Sequence, residues 1–375
     1  MITPAFFIEK LRENGIDCFA GVPDSLLKYI CAYITDNFDP LHNIITANEG
    51  AAIGFAAGHY LATGKPACVY MQNSGEGNII NPLASLTDPE VYNIPVLLLI
   101  GWRGCPGVHD EPQHIKQGKV TLDLLATMGI EYAILSKEES QAGKQIEKAI
   151  EALGRKEVYA LIIEKDTFES YQLLNVEQNG LSLTREEAVQ TVASALRDKD
   201  CIVSTTGMIS RELFEYRAAL GQSHERDFLT VGSMGHASQI ALGIAIAQPE
   251  RKVWCFDGDG AIIMHMGSLA VIGDKAPRNY VHVVFNNGAH DSVGGQPTVG
   301  LKIDLQAIAK AVGYPHTFSV DNKAALSVIL SEVKDLDGPI LLEIKVRKGN
   351  RKDLGRPTTS PAYNKDLFMG YLNND

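Results

Sequence analysis

Short, wholly apolar runs alternate along this chain with longer stretches in which apolar residues recur at helical spacing. The runs near Asp17–Gly21, Ile44–Ala47, Ala67–Met71, Val96–Ile100 and Tyr159–Ile163 are too short for helices. Their lack of a polar face predicts strands covered on both sides, as in a parallel sheet wrapped by helices. From Lys165 to about Ser182 the alternation lapses into a polar stretch containing Gln178-Asn-Gly180. A helix is predicted to start just beyond it, because Thr184 and Glu187 have the spacing of a capping box. Strands then recur near residues 201, 252, 281 and 340. The pattern predicts an α/β chain of two domains, 1–168 and 183–375, joined by a linker at 169–182.

Composition narrows the class. A chain of 375 residues with 45% hydrophobic content can bury ample core. Its net charge of −11 argues against nucleic acid or an anionic membrane surface as partner. No run approaches the roughly 18 apolar residues of a membrane span. The opening Met-Ile-Thr-Pro lacks a basic, cleavable leader, and Thr3-Pro4 reads as a helix start. The six cysteines are scattered without a C-x-x-C pair, as expected of reduced thiols and not of zinc or iron–sulfur ligands. A cytoplasmic protein is expected.

The strongest chemical signal is Gly258-Asp259-Gly260, followed after residues 261–285 by Asn286-Asn287. That interval accommodates one helix and one strand, so both elements are expected on loops at the carboxyl edge of one sheet, where open α/β sheets bind ligands. A carboxylate, an amide oxygen and backbone carbonyls make a hard oxygen site suited to Mg²⁺ beside phosphates. An ordinary strand-turn-helix corner is the bland alternative for the triplet alone.

This arrangement resembles the diphosphate motif of the thiamine-diphosphate-dependent enzymes. The resemblance implies that Asp259, Asn287 and the backbone of Ala289 hold Mg²⁺, with Gly258, Gly260 and Ala261 at the cofactor's diphosphate. Upstream, Asn48-Glu49-Gly-Ala-Ala resembles the segment whose glutamate bonds the cofactor's pyrimidine. Glu49 reads also as a simple helix-start carboxylate. Met234, in Gly-Ser-Met-Gly, resembles the bulky prop that bends the cofactor, against the alternative of a gap-filling core methionine, and the resemblance puts Ser233 beside the cofactor too. Thr206-Gly207 resembles the loop that receives the aminopyrimidine, although Thr-Thr-Gly is also a common strand exit.

Substrate chemistry rests on two places. A basic stretch, Val346–Pro357, carries Arg351, Lys352 and Arg356 and reads either as a solvated face or as a lure for a multiply anionic substrate. Arg103 and Ser25, on other strand-end loops, are further candidates for substrate contacts. Proton-transfer candidates are Asp24, His109, Asp110, His114 and His290, all expected on loops. Asp291 could face the substrate or simply order its loop.

Many thiamine decarboxylases carry a middle domain, for which the short linker leaves no room. The compact chain resembles the phosphonopyruvate and sulfopyruvate decarboxylase family in GVPDSLLK (21–28), ANEGAAIG (47–54), MQNSGEGN (71–78), HDEPQH (109–114), NNGAHDSVGGQPT (286–298) and RKDLGRPT (351–358). It implies two thiamine-diphosphate-binding-fold domains and decarboxylation of a small anionic 2-oxo acid, with phosphonopyruvate ahead of sulfopyruvate. It further implies a homo-oligomer, at least a dimer, with the cofactor between subunits. A ferredoxin-linked relative would share the glycine motif but needs clustered cysteines. A non-enzymatic binding module would lack Glu49 in its setting.

Overall fold

The computed structural model describes residues 1–174 and 179–373, so the part of the expected linker at 175–178 lies outside the described residues. The chain divides into two compact units, Met1–Val176 and Glu177–Asp375. In the first, strands β1 (Phe19–Gly21), β2 (Asn43–Ile45), β3 (Cys68–Gln72), β4 (Leu97–Gly101), β5 (Glu131–Ile134) and β6 (Tyr159–Ile163) form one parallel sheet. Their order is β2-β1-β3-β4-β6-β5. In the second, β7 (Cys201–Ser204), β8 (Asp227–Leu229), β9 (Val253–Gly258), β10 (Tyr280–Asn286), β11 (His316–Val320) and β12 (Ile340–Lys345) are again parallel. That sheet runs β11-β12-β10-β9-β7-β8. Counted from its own first strand, each sheet reads 2-1-3-4-6-5. In both, the chain's direction of travel across the sheet reverses between the first and third strands, which opens a crevice at their carboxyl ends.

The wholly apolar strands are explained by their two buried faces. In the first sheet Tyr70, Leu97, Leu99 and Leu161 pack into one core, while Val69, Met71, Leu98 and Ile162 pack into another on the opposite face. In the second, Trp254, Phe256, Val283 and Leu342 face one core, whereas Val253, Cys255, Val284 and Leu341 face the other. Period-two alternation with both sides covered leaves no polar phase in the sequence.

Strands β5, β8 and β11 are additions to the sequence-based expectation. Each is the outermost strand of its sheet. Glu131–Ile134 is largely exposed, Asp227–Leu229 spans three residues, and His316–Val320 is mostly half-buried. An edge strand has a neighbour on one side only, so its sequence carries a weak apolar signal. The helix starts behave as expected. Thr3 caps the helix Pro4–Glu13, and Thr184 and Glu187 form a complete capping box on the helix Arg185–Ala195.

Among the described residues, no helix is long and apolar enough to cross a membrane.

Candidate active site

In the second unit the carboxyl ends of β7, β9 and β10 bring the sequence motifs together. Gly258 ends β9 and Asp259 opens the helix Asp259–Met264 directly, so the expected loop at Asp259 is absent. The residue is instead fixed at a helix start. It is 3% exposed, and burial pushes its carboxyl up to about 6, against the pull of a hydrogen bond from the Thr298 hydroxyl. Any side chain at Gly300 would run into Asp259 and Asn286, at 2.7 and 2.8 Å, so glycine keeps this floor open.

The two asparagines do different work. Asn286 is fully buried; its amide donates to Glu343 Oε1 at 2.7 Å and to the Gly300 carbonyl at 2.8 Å. It braces β10 against β12. Asn287 donates to Asp291 Oδ2 at 2.6 Å, and its Oδ1 accepts from the Ala289 N–H at 3.0 Å. Ala289 itself is buried.

The neighbouring loop, 232–235, is left-handed at Gly232, Ser233 and Gly235, with φ of 73°, 48° and 82°. A serine held there signals local strain, of the kind that collects at functional sites. Thr206 Oγ1 accepts the Gly232 N–H at 3.1 Å, and Gly207 has φ 101° and ψ −139°, open in practice only to glycine. A Cβ added to Gly260 would lie 3.0 Å from the His290 ring and 3.4 Å from the Met234 methyl. Met234, His290 and the Gly-Asp-Gly corner therefore meet around one small space, with Ala261 buried just behind. Burial pulls the His290 imidazole down to about 4, so it is neutral near pH 7.

Beneath this edge lies Cys255 with Asp257 and His282, fully buried, their donor atoms within 4.8 Å of one another. Among the described residues this is the one such grouping of metal-ligating side chains. His282 Nε2 is 3.3 Å from Asp257 Oδ2, so two of the three already satisfy each other. The six thiols are free, five of them buried and Cys105 partly exposed.

In the first unit, Asn48 caps the helix Glu49–Thr63 through its own side chain, which accepts from the Ala51 N–H at 2.9 Å. Capping therefore does not occupy Glu49. Glu49 is 5% exposed, its Oε2 accepting from Asn78 Nδ2 at 2.7 Å, with Gly75 so close that any side chain there would meet its carboxylate. At the crevice between β1 and β3, Gln72 donates to Asp24 Oδ1 at 2.5 Å. Burial raises the Asp24 carboxyl above its usual range, opposed by Gln72 and by the Leu26 N–H. Arg103 grips Asp110 through Nε and Nη2, at 2.7 and 2.5 Å, and reaches Ser25 Oγ at 2.7 Å. Burial works to raise the Asp110 carboxyl, but Arg103 and the Gly104 N–H prevail and hold it low. His114 is not on the expected loop but in the first turn of the helix Pro112–Thr127, where it is buried and pulled down to about 4 by burial, with Arg103 adding to the effect. His109 is exposed and stands apart from this cluster's hydrogen bonds.

The basic stretch is pinned to the second unit's own helices. Arg351 pairs with Glu186 at 3.0 Å, with Glu215, and with Asp353 at 3.2 Å, and Gly355 N–H donates to Glu215 at 2.6 Å. Arg351, expected at the substrate, is thus engaged as an anchor here, while Lys352 and Arg356 are exposed.

Similarity to known proteins agrees with this geometry. Residues 3–131 match the thiamine pyrophosphate enzyme N-terminal TPP binding domain, and residues 205–344 match the C-terminal TPP binding domain. The chain belongs to the thiamine-diphosphate-dependent decarboxylase family. It is 35% identical to a phosphonopyruvate decarboxylase of Streptomyces viridochromogenes, over 99% of this chain and 95% of that one. The phosphonopyruvate decarboxylase of Streptomyces hygroscopicus is 34% identical, over 96% and 92%. A sulfopyruvate decarboxylase of Methanosarcina acetivorans is 29% identical, over 92% and 91%. As a member of this family the chain is a carboxy-lyase of 2-oxo acids, built from two thiamine-diphosphate-binding units without a middle domain.

Several partners of the family's motif residues carried no sequence signal of their own. Gln72 and Asn78 lie inside a quoted motif, yet only the fold shows that they hold Asp24 and Glu49. Thr298 is 39 residues from the Asp259 it bonds, and Glu343 is 57 from Asn286. A lone polar side chain, in a loop as at Thr298 or on a strand as at Glu343, gives no hint of a partner so far along the chain. Glu76 is 2% exposed and pushed up to about 8 by burial, an acid that a lone glutamate in a glycine-rich segment does not announce.

Proposed function

We propose that this enzyme decarboxylates 3-phosphonopyruvate to phosphonoacetaldehyde and carbon dioxide, using thiamine diphosphate and Mg²⁺. The observation that carries the substrate is the near full-length similarity to two phosphonopyruvate decarboxylases at 34–35% identity, against 29% for the sulfopyruvate relative. The metabolic setting is phosphonate biosynthesis, in the cytoplasm, with the chain working as a homo-oligomer of at least two copies.

The residues present fit the cation. Asp259 and Asn287 offer hard oxygens beside the Ala289 backbone, the donor set that Mg²⁺ prefers. A buried carboxylate pushed up to about 6 also gains from a positive charge placed beside it. Gly258, Gly260 and Ala261 would line the diphosphate, Met234 would prop the cofactor with Ser233 beside it, and Thr206-Gly207 would receive its ring. When bound, thiamine diphosphate supplies the electron sink into which the scissile carbon–carbon bond breaks. Glu49, freed from capping by Asn48 and oriented by Asn78, would hold a proton at the pyrimidine nitrogen.

For protons delivered to the product carbon, the chain offers unequal candidates. Asp110 is held ionised by Arg103, which suits it to orienting that arginine toward an anion. His114 and His290, with values near 4, are neutral acceptors at pH 7. Asp24, raised by burial, is the better proton carrier of the set, and His109 is exposed. Ser25 with Arg103, and the exposed Lys352 and Arg356, are the groups suited to a dianionic head. The test is an aldehyde-release assay with phosphonopyruvate, sulfopyruvate and pyruvate side by side. Phosphonopyruvate should be turned over best; equal or faster turnover of sulfopyruvate overturns the substrate assignment.

A further inference from the structure

A chain of paired charges, buried at Arg185 and Glu212 and half-buried at Asp291, runs behind Asn287. Asp291 Oδ2 accepts from Asn287 Nδ2 at 2.6 Å, from Arg185 Nη1 at 3.2 Å and from the Gly349 N–H at 2.8 Å. Arg185 is buried and locked from the other side by Glu212, with contacts of 2.9 to 3.2 Å from Nε and Nη2. Arg185 begins the helix Arg185–Ala195 and Glu212 lies in the helix Met208–Ala219, so the carboxylate is tied to rigid elements.

A carboxylate can only accept hydrogen bonds from such partners. The Asn287 amide must therefore turn its NH2 toward Asp291 and its oxygen away, to the side where Ala289 lies. An amide oxygen has two lone pairs, and the Ala289 N–H uses one. The reverse orientation would present NH2 hydrogens to a cation. The same carboxylate also catches the basic stretch, through Gly349, two residues before Arg351.

We propose that Asp291 is a positioning residue, which fixes the Asn287 amide oxygen outward for the divalent cation and fastens the 346–357 segment to that same point. The proposal rests on the cation-binding reading above. Asp291 acts through Asn287, and Arg185 acts through Asp291. Supporting groups of this kind typically alter metal affinity by about 10- to 100-fold.

The test measures Mn²⁺ binding to full-length protein with thiamine diphosphate present, by electron paramagnetic resonance, beside the thermal midpoint of the metal-free protein. Wild type should bind Mn²⁺; failure there sinks the cation reading itself, separately from this proposal. Asp291→Asn should weaken Mn²⁺ binding by about 10- to 100-fold. In an Asn287→Ala background the same change should have little further effect, under about three-fold, because the amide it orients is gone. Should Asp291→Asn fold poorly, Arg185→Lys provides the same reading, with an expected loss of several-fold in Mn²⁺ affinity. Unchanged affinity in the folded single variants, or an undiminished Asp291→Asn effect without Asn287, overturns the proposal.

Discussion

The two units share one strand order and therefore offer the same set of positions, yet they fill them with different chemistry. After the second strand of the first unit, a helix opens on Glu49; at the matching place in the second stands the strained Ser233-Met234 loop. After the third strand the first unit gives Asn73 to Gly77, with a buried Glu76, while the second gives Gly258-Asp259. After the fourth come Arg103 with Asp110 in one and Asn287 with Asp291 in the other. The scaffold sets where a side chain is displayed; the residue there decides whether it handles protons, anions or a cation. On the function proposed above, one fold used twice yields a proton-handling half and an oxygen-ligand half.

The comparison is most sharply broken at Glu49. Glu49→Gln keeps the shape and the Asn78 contact but cannot carry the proton, so turnover should fall by about 10²- to 10⁴-fold, with cofactor affinity near that of wild type. Steady-state kinetics beside a cofactor titration checks this, and wild-type turnover would remove the acid from its role. A smaller effect separates the paired asparagines. Asn287→Ala should weaken cation binding at nearly unchanged stability. Asn286→Ala strands Glu343 and the Gly300 carbonyl and should cost about 1–3 kcal/mol of stability. Thermal denaturation run with and without cation distinguishes the two.

The last effect concerns Glu76, is read in stability alone and has a definite sign. Its carboxyl is raised from 4.5 to about 8 by burial, so the folded protein keeps a proton that the unfolded chain releases in between. The stability it contributes is complete below about pH 4.5 and is lost as pH rises through about 8. Glu76→Gln cannot ionise, so its thermal midpoint should gain on wild type by a few degrees from about pH 5 to pH 9. A constant difference across that range would place the ionised form comfortably inside the fold.

Much of this was legible in the chain itself. Strands buried on both faces leave unbroken apolar runs, and β6 falls on its expected span of Tyr159–Ile163. The Gly-Asp-Gly corner and paired asparagines are local patterns and were readable for the same reason. The edge strands β5 and β11 were not, because a half-covered strand tolerates polar residues, and β8 was not, because three residues are too few to make a run. Nor were the pairings Thr298 to Asp259, Arg185 to Asp291 and Arg351 to Glu186, which join residues 39, 106 and 165 positions apart. Such bonds follow from topology, which local spacing does not encode. The basic stretch shows the consequence: its charge was visible, but the carboxylates that engage Arg351 were not.

Cofactor titration by calorimetry into Asp259→Asn protein, with Mg²⁺ present and alongside Glu49→Gln, tests the division of labour most directly. Glu49→Gln should bind thiamine diphosphate in a Mg²⁺-dependent manner much as wild type does, whereas Asp259→Asn should lose that dependence and most of the affinity. Wild-type, Mg²⁺-dependent binding by Asp259→Asn would contradict it.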